Sequence, residues 1–358
     1  MPTLAAGLYL AVPVLAGWLG SVLGVPLAWL IGPMVATAAL AVSGRGVFAP
    51  VPARRFGQLV VGAAIGLGLD WTTVSAALAW LPLMLATALL SVVLTAAVSV
   101  AFARVARIDL ATAYFAMLPG GVAEMASIGE RAGAQNEPIA LTQSIRLALV
   151  VLVVPPLIAG LDATAIAVAP LREMADLATL ATALALGAVG AAIVACSGLN
   201  NPWMVGSLLA VATATAFGLT DGRMPDGLLH FGQFLLGISI GRRFRREIVS
   251  KLRRLALAGL VGITAVTALL LLYAVALSSA VGFDYPTAAL ATAPGGIAEM
   301  AVTAKVLNLD IAFITVFHVV RTICINGFAL YYLQILSRIG FFRGAEALLE
   351  RVFPRPTR

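Results

Sequence analysis

Eight residues, Pro119-Gly120-Gly121-Val122-Ala123-Glu124-Met125-Ala126, return 175 positions later as Pro294-Gly295-Gly296-Ile297-Ala298-Glu299-Met300-Ala301. Self-similarity at a fixed long period decides an architecture before any single segment is read. The same offset, without a gap, pairs Phe56-Gly57-Gln58 with Phe231-Gly232-Gln233, and Gly62 and Gly66 with Gly237 and Gly241. It also pairs Asp109 with Asp284, Thr112 with Thr287 and Arg146 with Arg321. Upstream it slips by one, setting Trp29-Leu30-Ile31-Gly32 against Trp203-Met204-Val205-Gly206. The chain reads as two copies of one unit, residues 1–170 and 171–337, followed by a basic tail, 338–358.

Composition says what the unit is made of. Of 358 residues 61% are apolar and 11% charged, where soluble chains carry roughly 25% charged residues. The mean hydropathy is +1.03, and apolar runs of about 20 residues recur along the chain, long enough to cross a hydrocarbon core of roughly 30 Å as helices. The expectation is an all-α polytopic membrane protein. A soluble enzyme and a disordered chain are excluded, and a β-barrel would show short alternating segments instead. Leu4 to Leu23 lacks a charged flank and a cleavage site, so it reads as a first membrane helix rather than a removed signal. Cys196 and Cys324 lie far apart, encode neither a disulfide framework nor a metal pair, and are expected to fill small buried places.

The net charge of +7 would point a soluble protein towards nucleic acid. Here Arg and Lys collect in two stretches, Arg45 to Arg55 and Arg242 to Arg254, as cytoplasmic loops of membrane proteins do. Their placement sets the orientation of the copies. Arg45, Arg54 and Arg55 precede Phe56, whereas the second copy carries Asp221-Gly222-Arg223-Met224-Pro225-Asp226 there. After the next helix the first copy has only Asp70, the second Arg242, Arg243, Arg245, Arg246, Lys251, Arg253 and Arg254. Equivalent loops thus fall on opposite sides, which predicts two inverted-topology repeats with an odd number of crossings each.

Helices are expected over about 4–23, 26–42, 57–69, 75–103 and 137–160, five crossings per repeat. Leu110 to Arg131 must then enter and leave on one side, as a re-entrant hairpin with Pro119-Gly120-Gly121 at its tip. Its copy, about 285 to 305, enters from the other face. Both termini and the tail with Arg338, Arg343, Arg351, Arg355 and Arg358 fall on the cytoplasmic side of the inner membrane.

Non-helical backbone at membrane depth is tolerated only where it is buried in protein or lines a wet cavity. The two tips therefore nominate a substrate-binding site, with Gly120, Gly121, Gly295 and Gly296 opening short helices whose free N–H groups favour an anion. Glu124 and Glu299 sit in the first turns, either capping the half-helices or serving as a proton or cation site. Gln143 with Arg146, and His318 with Arg321, share a helix face three residues apart. Each arginine is expected to pair with a glutamate or a substrate anion, or to form a structural ion pair. His318 alone has an ordinary pKa suited to a proton step near neutrality. Asp109 and Asp284 read as helix N-caps. The Gly62/Gly66 and Gly237/Gly241 spacings read as close helix contacts that Gln58 and Gln233 could bridge. Trp29, Trp71, Trp80 and Trp203 read as interface anchors or packing.

The doubled Pro-Gly-Gly-x-Ala-Glu-Met motif and the Phe-Gly-Gln-x3-Gly-x2-Ile-Gly segment resemble, over essentially the whole chain, the AbrB-type membrane proteins of Gram-negative bacteria, which carry an internal duplication. Members are filed as membrane-bound regulators of gene expression and as ammonia monooxygenases. A copper or iron monooxygenase needs clustered ligands, and this chain offers only His230 and His318 in unlike contexts. A DNA-binding role needs a soluble module, and the stretch after about residue 337 is too short for one. The expectation is a secondary transporter of a small anionic or amphoteric solute working by alternating access; the alternative is an AbrB-like membrane sensor acting indirectly on gene expression. Neither reading calls for enzyme activity, a cofactor, a metal or direct nucleic-acid contact. The partners expected are an unidentified small ligand and the lipid bilayer, with a homo-oligomer left open.

Overall fold

A computed structural model describes residues 2–45, 50–69, 71–161, 173–196, 201–244, 246 and 253–352. Asp70, Asp162, the boundary near residue 170, Arg245, Lys251, Arg355 and Arg358 lie outside the described residues. The first repeat supplies α1 (Pro2–Val22), α2 (Ala28–Val42), α3 (Val51–Gly66), α4 (Trp71–Leu78), α5 (Leu81–Ala106), α6 (Leu110–Met117), α7 (Val122–Arg131) and α8 (Asn136–Leu161). The second supplies α9 (Leu177–Cys196), α10 (Pro202–Ala216), α11 (Asp226–Gly241), α12 (Arg253–Val281), α13 (Tyr285–Thr292), α14 (Ile297–Val306) and α15 (Ile311–Arg338), and the tail adds α16 (Phe341–Val352). No strand occurs among the described residues; one parallel bridge joins Met174 to Arg223. Among the described residues five helices, α5, α8, α9, α12 and α15, are long and apolar enough to cross a membrane.

The duplication is visible in the element bounds. Helices α3 and α11, α6 and α13, and α7 and α14 start and stop at positions 175 apart. Two sequence expectations need correction. The helix expected at 75–103 is two, because Trp80 leaves helical geometry and Pro82 opens α5 without an N–H to continue α4. The helix expected from residue 57 begins at Val51, with Pro52 in its first turn, where the fixed φ of proline favours a start. Arg54 and Arg55 are consequently helical rather than loop residues.

Packing sorts the helices into two bundles, each drawn from both repeats. In one, α1 lies on α2 and α9 on α10, while α2 packs on α11 and α3 on α10 across the repeats. The glycine pairs make those cross-repeat contacts. A Cβ on Gly62 would lie 2.6 Å from the Met204 carbonyl oxygen, and one on Gly66 2.8 Å from Val211 Cβ. In the second copy, Gly237 abuts Leu30 and Gly241 abuts Met34 and Thr37. Small residues let backbones meet where apolar surroundings give helices no hydrophobic reason to associate. Gln58 donates to Asn201 Oδ1 across the same seam, and Trp29 stacks on His230 at 6.0 Å where its copy, Trp203, takes the Arg55 guanidinium at 5.6 Å.

The second bundle holds the two helix–turn–helix hairpins, α6–α7 and α13–α14, braced by the long helices α5, α8, α12 and α15. Equivalent helices α5 and α12 run antiparallel along their length. Thr87 Oγ1 is 3.0 Å from Tyr273 Oη, Gly262 faces Val98, Gly259 faces Phe102, and Arg254 Nε donates to the Val105 carbonyl. Apolar cores of matching composition surround each hairpin, with Tyr114, Phe115 and Met125 fully buried in one, and Leu290, Met300 and Phe317 in the other. Much of the expected basic tail is the amphipathic helix α16, whose Glu346 and Glu350, one turn apart, both accept from Arg104 on α5, at 3.2 and 2.8 Å. Neither cysteine is buried: Cys196 is exposed and Cys324 half-buried, Cys324 lying 3.6 Å from Tyr332 Oη.

Candidate functional site

The hairpins begin at aspartates. Asp109 accepts from the Thr112 N–H at 2.8 Å and Asp284 from the Thr287 N–H at 2.9 Å, satisfying first-turn donors of α6 and α13. Each first arm is only eight residues long, and after it the chain turns at Pro-Gly-Gly with extended geometry at Gly121 and Gly296. That leaves carbonyls at the ends of α6 and α13 with no helical partner, an expensive omission in an apolar interior.

The long helix that follows each hairpin supplies the donors. In the first repeat Gln143 Nε2 donates to the carbonyls of Phe115 (2.9 Å) and Leu118 (2.7 Å), and Arg146 Nη2 to that of Gly120 (2.6 Å). In the second, His318 Nε2 donates to Leu290 O (2.9 Å), while Arg321 serves Ala293 and Gly295, both at 2.5 Å. The same three carbonyl positions are met in both copies, with the labour divided differently: glutamine spans two and its arginine one, histidine takes one and its arginine two. All four side chains are buried. Among the described residues no ion pair joins Arg146 or Arg321 to a glutamate; the expected charge partners are backbone oxygens, and positive charge at a helix C-terminus is favoured by the dipole. The Nε2 proton of His318 is committed to Leu290, and its Nδ1 has no partner among the described residues.

The repeated motif now has a steric reason. At the first glycine, a Cβ would strike the following methionine, 2.6 Å from Met125 Cε at Gly120 and 2.7 Å from Met300 Cγ at Gly295. At the second, Gly121 or Gly296, it would overlap the carboxylate of Glu124 or Glu299, which folds back over its own helix start. Proline turns the chain, one glycine admits the methionine that buries the turn, and the other admits the glutamate that caps the second arm. Both glutamates remain half-buried rather than sealed.

Arg54, Arg146 and Arg243 each lie within electrostatic reach of both Glu124 and Glu299. Arg54 comes from the first turn of α3 and Arg243 from just beyond α11, so the hairpin bundle contributes the acids and Arg146, and the other bundle contributes two more arginines. Among the described residues Arg146 Nε and Nη1 and Arg243 Nη1 have no hydrogen-bond partner. Asn326, whose unpartnered Oδ1 points at Gly120, joins the first tip from α15. Sequence reading missed these three. Arg54 and Arg243 stand in basic stretches that topology already explained, and Asn326 has only Val151 as its repeat counterpart. Asp109 and Asp284 are caps at the hairpin bases, and the paired glycines of α3 and α11 lie in the seam between repeats. Trp71 is exposed and Trp80 packs edge-on against Phe283 at 4.8 Å.

A groove of about 920 Å³ lies elsewhere, between α5, α12 and α16, and is lined by side chains such as Val98, Phe102, Leu257, Val261 and Leu348. Its walls are mostly apolar, which suits lipid chains, with Arg253 and Arg254 the charged residues along it.

The family model described as "Transition state regulatory protein AbrB" matches residues 29–337. A Bacillus subtilis (strain 168) protein, "Uncharacterized protein YhjN", is 28% identical over 356 residues, covering 92% of this chain and 93% of its own. An Escherichia coli (strain K12) protein, "Putative regulator AbrB", is 28% identical over 305 residues, covering 83% and 86%. No solved structure matches the chain.

Proposed function

The chain belongs to the AbrB family, and from that premise we propose that it is a secondary transporter of a small anionic or amphoteric solute, built from two inverted membrane repeats. The observation that carries this reading is that the buried Arg146, with Nε and Nη1 unpartnered among the described residues, lies within electrostatic reach of a half-buried glutamate on each of the two hairpin tips. Breaks in helices at membrane depth, facing each other from equivalent places in two repeats, are the usual construction of a transport site. The antiparallel packing of α5 against its own counterpart α12 supports the inversion: two copies related by an axis across the helices, rather than along them, point opposite ways in a bilayer. The register of the glycine seams agrees, because α3 runs with α10 and α2 with α11. Consecutive crossings then put α2 and its copy α10 in opposite directions.

Five crossings per repeat, an inner-membrane location and cytoplasmic termini follow from the loop charges on this reading. Alternating access moves the hairpin bundle against the bundle of α1–α3 and α9–α11. Each moving body mixes both repeats, in place of one repeat rocking on the other. The test is uptake of radiolabelled amino acids and carboxylic acids into proteoliposomes across imposed pH gradients. Glu124→Gln and Glu299→Gln should each abolish pH-dependent uptake; full activity in both sinks the proposal.

A second reading, a membrane sensor acting indirectly on gene expression, is favoured by the name of the Escherichia coli relative. It predicts saturable ligand binding with no flux, so the same vesicles separate the two.

A further inference from the structure

We propose that the groove between α5, α12 and α16 is a binding site for one anionic phospholipid, with its acyl chains along the apolar walls and its phosphate against Arg253 and Arg254. The site is separate from the hairpin tips and does not depend on whether the protein carries a solute.

The groove holds about 920 Å³, near the top of the roughly 300–1,000 Å³ spanned by small-ligand pockets. Side-chain size creates it. Ala258 and Gly262 of α12 are buried and, with Ala101 of α5, make a floor of small residues, while the larger Leu257, Val261 and Leu348 stand exposed along the rim. Both α5 and α12 are long and apolar enough to cross a membrane, so a bilayer would present acyl chains to this depression. Along α12 the lining runs from Arg253 to Ala265, which at the helical rise is roughly 18 Å. The hydrocarbon of one leaflet is half of a core of about 30 Å, so the groove is about as long as a single lipid tail region with its headgroup at the end.

Charge selects the occupant. Arg253 and Arg254 stand together at one end of the lining, and every other residue along it is uncharged. Arg254 Nε donates to the Val105 carbonyl on α5, which holds its guanidinium at the mouth. Both arginines are exposed, and among the described residues no carboxylate pairs with either. The acids of the third wall are turned elsewhere, since Glu346 and Glu350 of α16 meet Arg104. Exposed Arg107, just beyond the end of α5, adds positive charge at the same end. A phosphate diester supplies two oxygens to such a pair of guanidinium groups, and basic pockets between membrane helices favour headgroups with net negative charge. A zwitterionic headgroup would bring its own cation to an already cationic mouth. The repeat counterparts of Arg253 and Arg254 are Leu78 and Ala79, so the opposite end of the α5–α12 pair offers no equivalent seat.

The test uses the full-length protein, purified and delipidated in detergent, with binding of phosphatidylglycerol and of phosphatidylcholine bearing the same acyl chains read by native mass spectrometry. The wild type should bind one phosphatidylglycerol per chain, and two arginines beside the headgroup should make it preferred over phosphatidylcholine by roughly 30-fold. Arg253→Gln combined with Arg254→Gln should bring that preference to about threefold or less while leaving phosphatidylcholine binding as it was. Ala101→Phe, which fills the floor, should weaken both lipids by about tenfold. Arg45→Gln, an exposed arginine elsewhere, should change neither. A preference that survives in the doubly substituted protein overturns the proposal, as does an equal loss with Arg45→Gln or binding indifferent to Ala101→Phe. Displacement of phosphatidylglycerol by inorganic phosphate at equal concentration would reduce the site to a headgroup contact and likewise overturn it. So would a dimer that Ala101→Phe dissociates with the lipid preference intact, since the groove would then be filled by a second copy.

Discussion

Alanine at Gly62 tests the seam that joins the repeats. A Cβ there would sit 2.6 Å from the Met204 carbonyl oxygen and 3.0 Å from Ser207 Cβ. The nearer neighbour is main chain, so no rotamer change relieves it. Bringing that contact to even 3.0 Å requires α3 and α10 to part by about 0.4 Å. Overpacking of this kind costs about 1–3 kcal/mol. Replacing a helical glycine by alanine returns about 0.5–1 kcal/mol through backbone entropy, so the net loss centres on about 1 kcal/mol, or a melting temperature lower by about 1–3 °C. Gly327 in α15 is the matched control, because nothing lies within 4 Å of a Cβ built there. Gly327→Ala should keep only the entropic gain and melt slightly above the wild type. Thermal melts followed by tryptophan fluorescence in one detergent read both variants. A Gly62→Ala protein melting at or above the wild type, or a Gly327→Ala protein falling as far, would refute the close-packed seam.

Arg321→Met should lower the melting temperature more than Arg146→Met, because it orphans two tip carbonyls rather than one, at about 1–3 kcal/mol each; the reverse order in paired melts contradicts the division of labour. Asp109→Ala should cost more than Asp284→Ala within the range of about 0.5–2 kcal/mol for caps, since Asp109 also holds Thr112 Oγ1 at 2.6 Å; equal losses would count against that extra bond. Arg104→Ala should leave the melting temperature within about 1 kcal/mol of wild type, as exposed pairs contribute little, yet speed hydrogen exchange across 341–352. Unaltered exchange there would mean that α16 is held by its apolar face alone, with Phe342 against Tyr114.

The fold was legible wherever the two copies agreed. The hairpins expected around Pro119 and Pro294 occur as α6–α7 and α13–α14, because Pro-Gly-Gly flanked by capping aspartates leaves the backbone few alternatives. Helix boundaries set by single prolines were harder: Pro82 breaks an apolar run whose hydropathy does not change, and Pro52 starts a helix inside a charged stretch. At the hairpin tips, sequence singled out the four side chains on α8 and α15 that meet the stranded carbonyls, but it expected other partners for them. Charge alone cannot reveal that a buried arginine is needed by carbonyls stranded at a chain turn 26 residues earlier. Arg54 and Arg243 were hidden by a sufficient explanation of another kind, since positive loops are expected on one side of any membrane protein.

The crossed pairing of α2 with α11 and α3 with α10 bears on how the protein is made. When α2 and α3 leave the ribosome, the surfaces that will cover Gly62 and Gly66 are still unsynthesised, and they arrive only with Pro202–Ala216. The first half must wait in the bilayer with its tightest contacts unformed and accept its partners by intercalation. A gene split near residue 170 would thus yield two fragments that are each incomplete, and stability would come from their reunion rather than from either half.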